Sequence, residues 1–169
     1  MAFQEEVERS SQVAFISQSE RKNARFQRYM EDTHKIIPCL DGDTSVFYAS
    51  VFDGHGGMNC SLFLKIGKET ANYVAEHLHE NIIAARTSKE LETTEQCLEY
   101  AYLYTDIESK KEDMKNSGST GVTILIVNEE GKRVVYSANA GDSRSIIFSD
   151  GETKRLSYVP CFLNLYDIL

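Results

Sequence analysis

Three kinds of side chain in this sequence could do chemistry at short range. Asp53 and His55, separated by Gly54 and followed by Gly56 and Gly57, close an apolar run that begins at Ser45 and includes Val46, Phe47, Tyr48, Val51 and Phe52. A second acidic pair, Glu31 and Asp32, follows Met30, directly behind a basic cluster of Arg21, Lys22, Arg25 and Arg28. Carboxylates are the hard oxygen donors that divalent cations prefer. Histidine exchanges a proton near neutral pH, and guanidinium groups grip phosphate or carboxylate anions. An anion site beside a cation site is one reading of this neighbourhood. The alternatives are a solvated loop of weakly paired charges and a strand that ends in an Asp-Gly turn.

The elements around these residues have to bring them together. Gln12–Ser17 reads as a short first strand and His34–Leu40 as a second; Asp41-Gly42-Asp43 then turns the chain into the strand that ends at Asp53. The last two strands make a hairpin, which would carry Glu31 and Asp53 on neighbouring strands, close enough to share one metal. From Met58 the apolar period changes to helical, with Leu62, Ile66, Tyr73, Val74, Leu78 and Ile82 on one face and an end before Ala85-Arg86. A second helix runs to about Lys115 with Leu98, Tyr102, Thr105 and Met114 on one face. Thr93 with Gln96 fits a capping box at its start, and Thr87 with Glu90 competes. His77 and His79 stand two apart on the first helix, which points them to different faces and suits surface residues better than metal ligands. After the small-residue break at 115–121, Val122–Val127 reads as a buried strand and Lys132–Ala138 as its return. A third strand, Ser145–Phe148, follows Asp142 and turns at Asp150-Gly151, completing a meander. Strands, two helices and strands again predict an α+β fold with antiparallel sheets and the helices on a face.

Composition bounds the partners. The chain has 169 residues, 41% of them hydrophobic, and a net charge of -8, with a pI near 5.0. One domain with a real core is expected, and nucleic acid is a poor partner for so acidic a chain. Cys39, Cys60, Cys97 and Cys161 lack the spacing of a zinc site or a disulfide framework and read as reduced thiols. No run approaches the ~20 apolar residues of a membrane span, and the N-terminus does not resemble a signal peptide. A soluble cytoplasmic or nuclear protein with no membrane partner is expected.

Four stretches, in order, resemble the metal-dependent Ser/Thr phosphatases of the protein phosphatase 2C family. They are Met30-Glu31-Asp32, Val51-Phe52-Asp53-Gly54-His55-Gly56-Gly57, Ser117-Gly118-Ser119-Thr120 and Ala138-Asn139-Ala140-Gly141-Asp142-Ser143-Arg144. The resemblance implies an antiparallel β-sandwich flanked by helices over residues 12–157, preceded by a flexible N-terminus at 1–11 and followed by a divergent tail at 158–169. It further implies two Mg²⁺ or Mn²⁺ ions, with Asp53 bridging them, Glu31 and the Gly54 carbonyl holding one, and Asp32 supporting from behind. Asp142 resembles a ligand of a weaker third metal, although its composition alone also fits a turn residue. His55 resembles the general acid that protonates the leaving serine or threonine oxygen. Phosphorylated Ser/Thr proteins are the implied partners.

Two departures qualify that expectation. The family's phosphate-binding arginine falls at Gln27, leaving Arg28 beside it and Arg25 two residues earlier as substitutes; Gln27 offers hydrogen bonds without charge. After Ser157 the sequence leaves the family pattern, so the chain is expected to be a C-terminally truncated member lacking two metal-ligand aspartates. Incomplete sheets would then favour self-association through uncovered edges. A metal-dependent phosphatase with little activity of its own is the leading expectation, and a non-catalytic binding or regulatory relative is the alternative.

Overall fold

The computed structural model describes residues 12–22, 25, 30–56, 66–111, 117–158 and 163–168. Strands β1 (Asp32–Ile37) and β2 (Phe47–Gly56) precede helices α1 (Ile66–Thr87) and α2 (Thr94–Lys111). Then come β3 (Ser117–Ser119), β4 (Gly121–Glu129), β5 (Lys132–Ala140), β6 (Ile146–Ser149), β7 (Glu152–Arg155) and β8 (Leu163–Ile168). The main sheet runs β1-β2-β4-β5-β8, with β3 also paired to β2, and every described pairing in it is antiparallel. A separate sheet holds β6 and β7. The expected α+β class with antiparallel sheets and two helices is the architecture observed.

The β1–β2 hairpin forms where the sequence turns. Asp41 and Gly42 take positive φ, and the Asp43 carboxylate accepts hydrogen bonds from the Ser45 amide at 2.8 Å and hydroxyl at 2.6 Å. β1 begins at Asp32 and stops at Ile37, before Pro38, which has no N–H to give the ladder. At the same end of the sheet, Glu130 and Gly131 at positive φ join β4 to β5, and in the small second sheet Asp150 with Gly151 does the same for β6 and β7.

One face of the sheet carries the core. Tyr48 and Phe52 of β2, Leu125 and Val127 of β4, and Val134, Tyr136 and Ala138 of β5 pack against Ala71, Ala75, Leu78 and Ile82 of α1 and Leu98 and Ala101 of α2. Alternation then aims Ala49, Val51 and Asp53 at the opposite face. There Ala49, Val51, Val122 and Ile124 floor an open cavity of about 580 Å³, walled by residues 16–21 and 144–146. The capping box at Thr93 is present in both directions: Gln96 N–H reaches Thr93 Oγ1, and Thr93 N–H reaches Gln96 Oε1, each at 3.3 Å.

Three expectations are corrected. Gln12–Ser17 forms no strand; β-favouring composition alone does not make it pair, although β1 is an edge of the main sheet, and Phe15 is exposed. The meander ends at β5, because β6 leaves the main sheet to pair with β7, while β8, in the segment expected to diverge, pairs along β5 from Arg133↔Ile168 to Ala138↔Leu163. His79 is half-buried with its ring 6.1 Å from that of Tyr48, and burial lowers its pKa; only His77 keeps the surface character expected of both. The stretch from Met58 to Lys65, Met114 and the last turn expected of α2 lie outside the described residues.

Candidate functional site

β2 does not turn at Asp53-Gly54. It continues through His55 to Gly56, because the backbone beyond Asp53 pairs with β3, with Gly54 opposite Ser119 and His55 opposite Gly118. Phe52 and Gly54 therefore point inward and are buried, while Asp53 and His55 are exposed on the same side of the strand. Across the hairpin the partner of Asp53 is Asp32. Glu31 is half-buried one residue before β1, where the same register would set it level with Gly54.

Asp53 is fixed mainly through its backbone. The Thr120 amide donates to the Asp53 carbonyl at 2.8 Å, the Asp53 amide donates to Thr120 Oγ1 at 3.2 Å, and Ser119 Oγ donates to the same carbonyl at 3.3 Å. Thr120 Oγ1 also shares a 2.6 Å hydrogen bond with Ser143 Oγ, in the loop after β5. That loop carries Asp142 between Gly141, at φ +98, and Ser143. A Cβ at Gly141 would fall 2.8 Å from Thr120 Cγ2, so only glycine lets the loop lie so close. The Asn139 side chain donates to the Gly141 carbonyl at 2.9 Å and braces the turn.

The result is a carboxylate cluster. Although Asp53 is open to solvent, the protein around it withdraws enough water to raise its pKa above the usual carboxylate value. The Asp32 carboxyl adds to the rise by its charge and a hydrogen bond, Asp142 adds to it by its charge, and His55 partly offsets it. Mutually repelling carboxylates are the oxygen donor set that a hard divalent cation would relieve, so the donor chemistry fits such an ion. Among the described residues no three His, Cys, Asp or Glu side chains are drawn together tightly enough to hold an ion by themselves. Carbonyl and water oxygens would have to complete any coordination shell.

His55 has its own support. A Cβ at Gly118 would fall 2.6 Å from His55 Nε2 and 3.0 Å from Cε1, so the imidazole lies over a strand position that glycine keeps clear. The neighbouring Ser117 hydroxyl is hydrogen-bonded to Thr70 Oγ1, tying β3 to α1.

The candidate phosphate-binding residues are less well placed. Arg25 is exposed, whereas Gln27 and Arg28 lie outside the described residues. Arg21 and Arg144 line the open cavity together with Asp32 and His34. Sequence reasoning assigned no role to Gly118, Thr120, Gly141 or Arg144. The available signal was their place inside two of the quoted motifs, which marked the stretches without separating ligands from supports.

Comparison with known proteins sets this arrangement in a family. The family model Protein phosphatase 2C matches residues 16–159. The chain is 28% identical over 156 residues to Protein phosphatase 2C homolog 1 of Saccharomyces cerevisiae, covering 85% of this chain and 52% of that protein. It is 34% identical over 129 residues to Probable protein phosphatase 2C 25 of Arabidopsis thaliana, covering 76% and 29%. Among solved structures, a Caenorhabditis elegans sex-determining protein aligns with a TM-score of 0.61 and 27% identity, over 78% of this chain and 31% of that one. A bacterial serine phosphatase aligns at 0.56 and 17% identity, over 83% and 64%, a likeness of fold. The fold and the motifs define a phosphatase-like α+β domain. The chain belongs to the protein phosphatase 2C family, and it spans about half the length of the yeast relative and less of the Arabidopsis one.

Proposed function

We propose that this chain serves a metal-dependent protein serine/threonine phosphatase of the 2C type, hydrolysing phosphoserine and phosphothreonine in proteins. The observation that carries the reading is Asp53 paired with Asp32 across the hairpin and tied through Thr120 to the loop that holds Asp142, beside an exposed His55, in a member of this family. Asp53, Glu31, the Gly54 carbonyl and Asp142 are the groups that would hold Mg²⁺ or Mn²⁺, with Asp32 supporting Asp53 across the hairpin. When bound, such ions neutralise phosphate charge and make water a better nucleophile.

The chain's own residues supply the rest. Water oxygen attacks phosphorus, the bond from phosphorus to the serine or threonine oxygen breaks, and His55 gives that oxygen its proton before taking another from solvent. Gly118 keeps the imidazole where it can do so. Arg25 and Arg28 are the side chains proposed to orient the phosphate, with Gln27 adding neutral hydrogen bonds, and Arg144 faces the same open cavity as Asp32.

Hydrolysis of p-nitrophenyl phosphate by the purified chain, with Mn²⁺, with chelator and in Asp53→Ala, tests this. The expected result is Mn²⁺-dependent turnover that chelator and Asp53→Ala both abolish. Turnover that survives Asp53→Ala, or none with any divalent ion, would overturn it. In the second case a Mn²⁺-induced rise in melting temperature that needs Asp53 would mark a cation-binding, non-catalytic relative.

A further inference from the structure

We infer that Thr120 is a positioning residue that sets Asp142 against Asp53, an inference that rests on the metal-site reading above. Thr120 is 8% exposed and stands between β3 and β4, on neither strand. It grips Asp53 by both backbone polar groups, giving its amide to the carbonyl and taking the Asp53 amide on its hydroxyl. The same hydroxyl is linked to Ser143, and the methyl group rests against Gly141. Gly141 and Ser143 are the two neighbours of Asp142 in the chain. One side chain therefore touches the residue before Asp142 and the residue after it while holding Asp53 in place.

The consequence is mechanical coupling across elements far apart in sequence. Asp53 and Thr120 are 67 residues apart, and Thr120 and Ser143 are 23 apart. Thr120 thereby bridges β2 to the loop after β5, where the charges of Asp53 and Asp142 act against each other. A buried hydroxyl with a partner on each side holds the carboxylates close before any cation arrives. Groups that orient metal ligands from behind typically change cation affinity by roughly tenfold to a hundredfold when removed.

The test compares Thr120→Val, which keeps the shape and loses the hydroxyl, with Thr120→Ser, which keeps the hydroxyl and loses the methyl. Mn²⁺ affinity is measured by titration calorimetry, and melting of the metal-free protein is followed alongside. Thr120→Val is expected to bind Mn²⁺ about tenfold more weakly than wild type, and Thr120→Ser to recover most of that loss. Ser143→Ala, on an exposed loop that is easily spared by folding, should weaken binding in the same direction. The double variant Thr120→Val/Ser143→Ala should be no weaker than Thr120→Val alone, because one link is cut twice. Affinity within twofold of wild type in Ser143→Ala and in Thr120→Val would overturn the inference, and Ser143→Ala decides alone if Thr120→Val does not fold. So would a Thr120→Ser protein as weak as Thr120→Val. If the wild type takes up no Mn²⁺, the metal reading fails separately, and the clamp is judged on metal-free protein by hydrogen exchange. Faster exchange of the Asp53 amide in Thr120→Val then supports it, and an unchanged rate overturns it.

Discussion

Replacing Gly118 with alanine should separate proton delivery by His55 from the rest of the site. The new Cβ would lie 2.6 Å from His55 Nε2, where ordinary contacts begin at 3.4 Å, so the ring must retreat by about 0.8 Å or swing to another rotamer. The backbone should tolerate the change, since Gly118 is not among the described glycines with positive φ. Removing a glycine stiffens the unfolded chain by about 0.4–1 kcal/mol, and a displaced rotamer costs about the same, so folding stability should change by less than about 1 kcal/mol. Chemistry is far less forgiving, because misplacing a catalytic group by about 1 Å can cost on the order of a hundredfold in rate. With a phosphoserine peptide at saturating Mn²⁺, kcat should fall towards that value while Mn²⁺ affinity and melting temperature hold. With p-nitrophenyl phosphate the fall should be much smaller, because nitrophenolate departs readily without a proton. Parallel steady-state assays on the two substrates, with a Mn²⁺ titration, measure all of this. An unchanged kcat on the peptide refutes the role given to His55, and equal losses on both substrates with weakened Mn²⁺ binding would show that the alanine disturbed the whole site instead.

Two further outcomes follow from the same contacts. The pKa of Asp53 is raised, so the folded chain favours its neutral form; the resulting instability is absent below the ordinary value of 3.8 and grows as pH rises through the folded value. Metal-free Asp53→Asn should therefore melt above wild type at pH 7, with the gap closing as pH falls to 3.8 and Mn²⁺ reversing the order at pH 7; a wild type that melts higher without metal contradicts this. Tyr102 donates or accepts at Thr123 Oγ1 at 2.7 Å and reaches the Ala138 carbonyl at 3.3 Å, binding α2 to the sheet. Tyr102→Phe should cost about 1–2 kcal/mol in urea unfolding, and a loss below about 0.3 kcal/mol would show that water replaces those bonds.

Much of the fold could be read from local pattern. Tyr48, Phe52, Leu78, Ile82 and Leu98 belong to periodic runs, and all five are buried together between sheet and helices. The hairpin turns at Gly42 and Gly151 were visible because positive φ is a demand that few residues meet. Long-range pairing was not visible. Gln12–Ser17 has the composition of a strand yet does not pair with the nearby edge strand β1, and Asp53-Gly54 has the composition of a turn yet stays extended because β3 pairs with it. β6 was assigned to the wrong sheet for the same reason: nothing in its own four residues states which strand will be its neighbour.

The candidate site divides along the same line. Asp53, His55, Asp32 and Asp142 could be named from sequence because their chemistry is carried in their own side chains. Gly118, Thr120 and Gly141 could not, because what they do depends on what approaches them. His55 lies over Gly118, and Thr120 lies against Gly141, so in each case a side chain from one segment occupies the space that a glycine leaves open in another. This arrangement repeats along the site, from β2 to β3 and from the start of β4 to the loop after β5. An imidazole and two carboxylates are thereby held by contacts in which the supporting residue, taken alone in the sequence, does not differ from an ordinary turn residue. The glycines of these motifs thus act here less as hinges than as sockets, and their replacement should shift neighbours rather than unfold the chain.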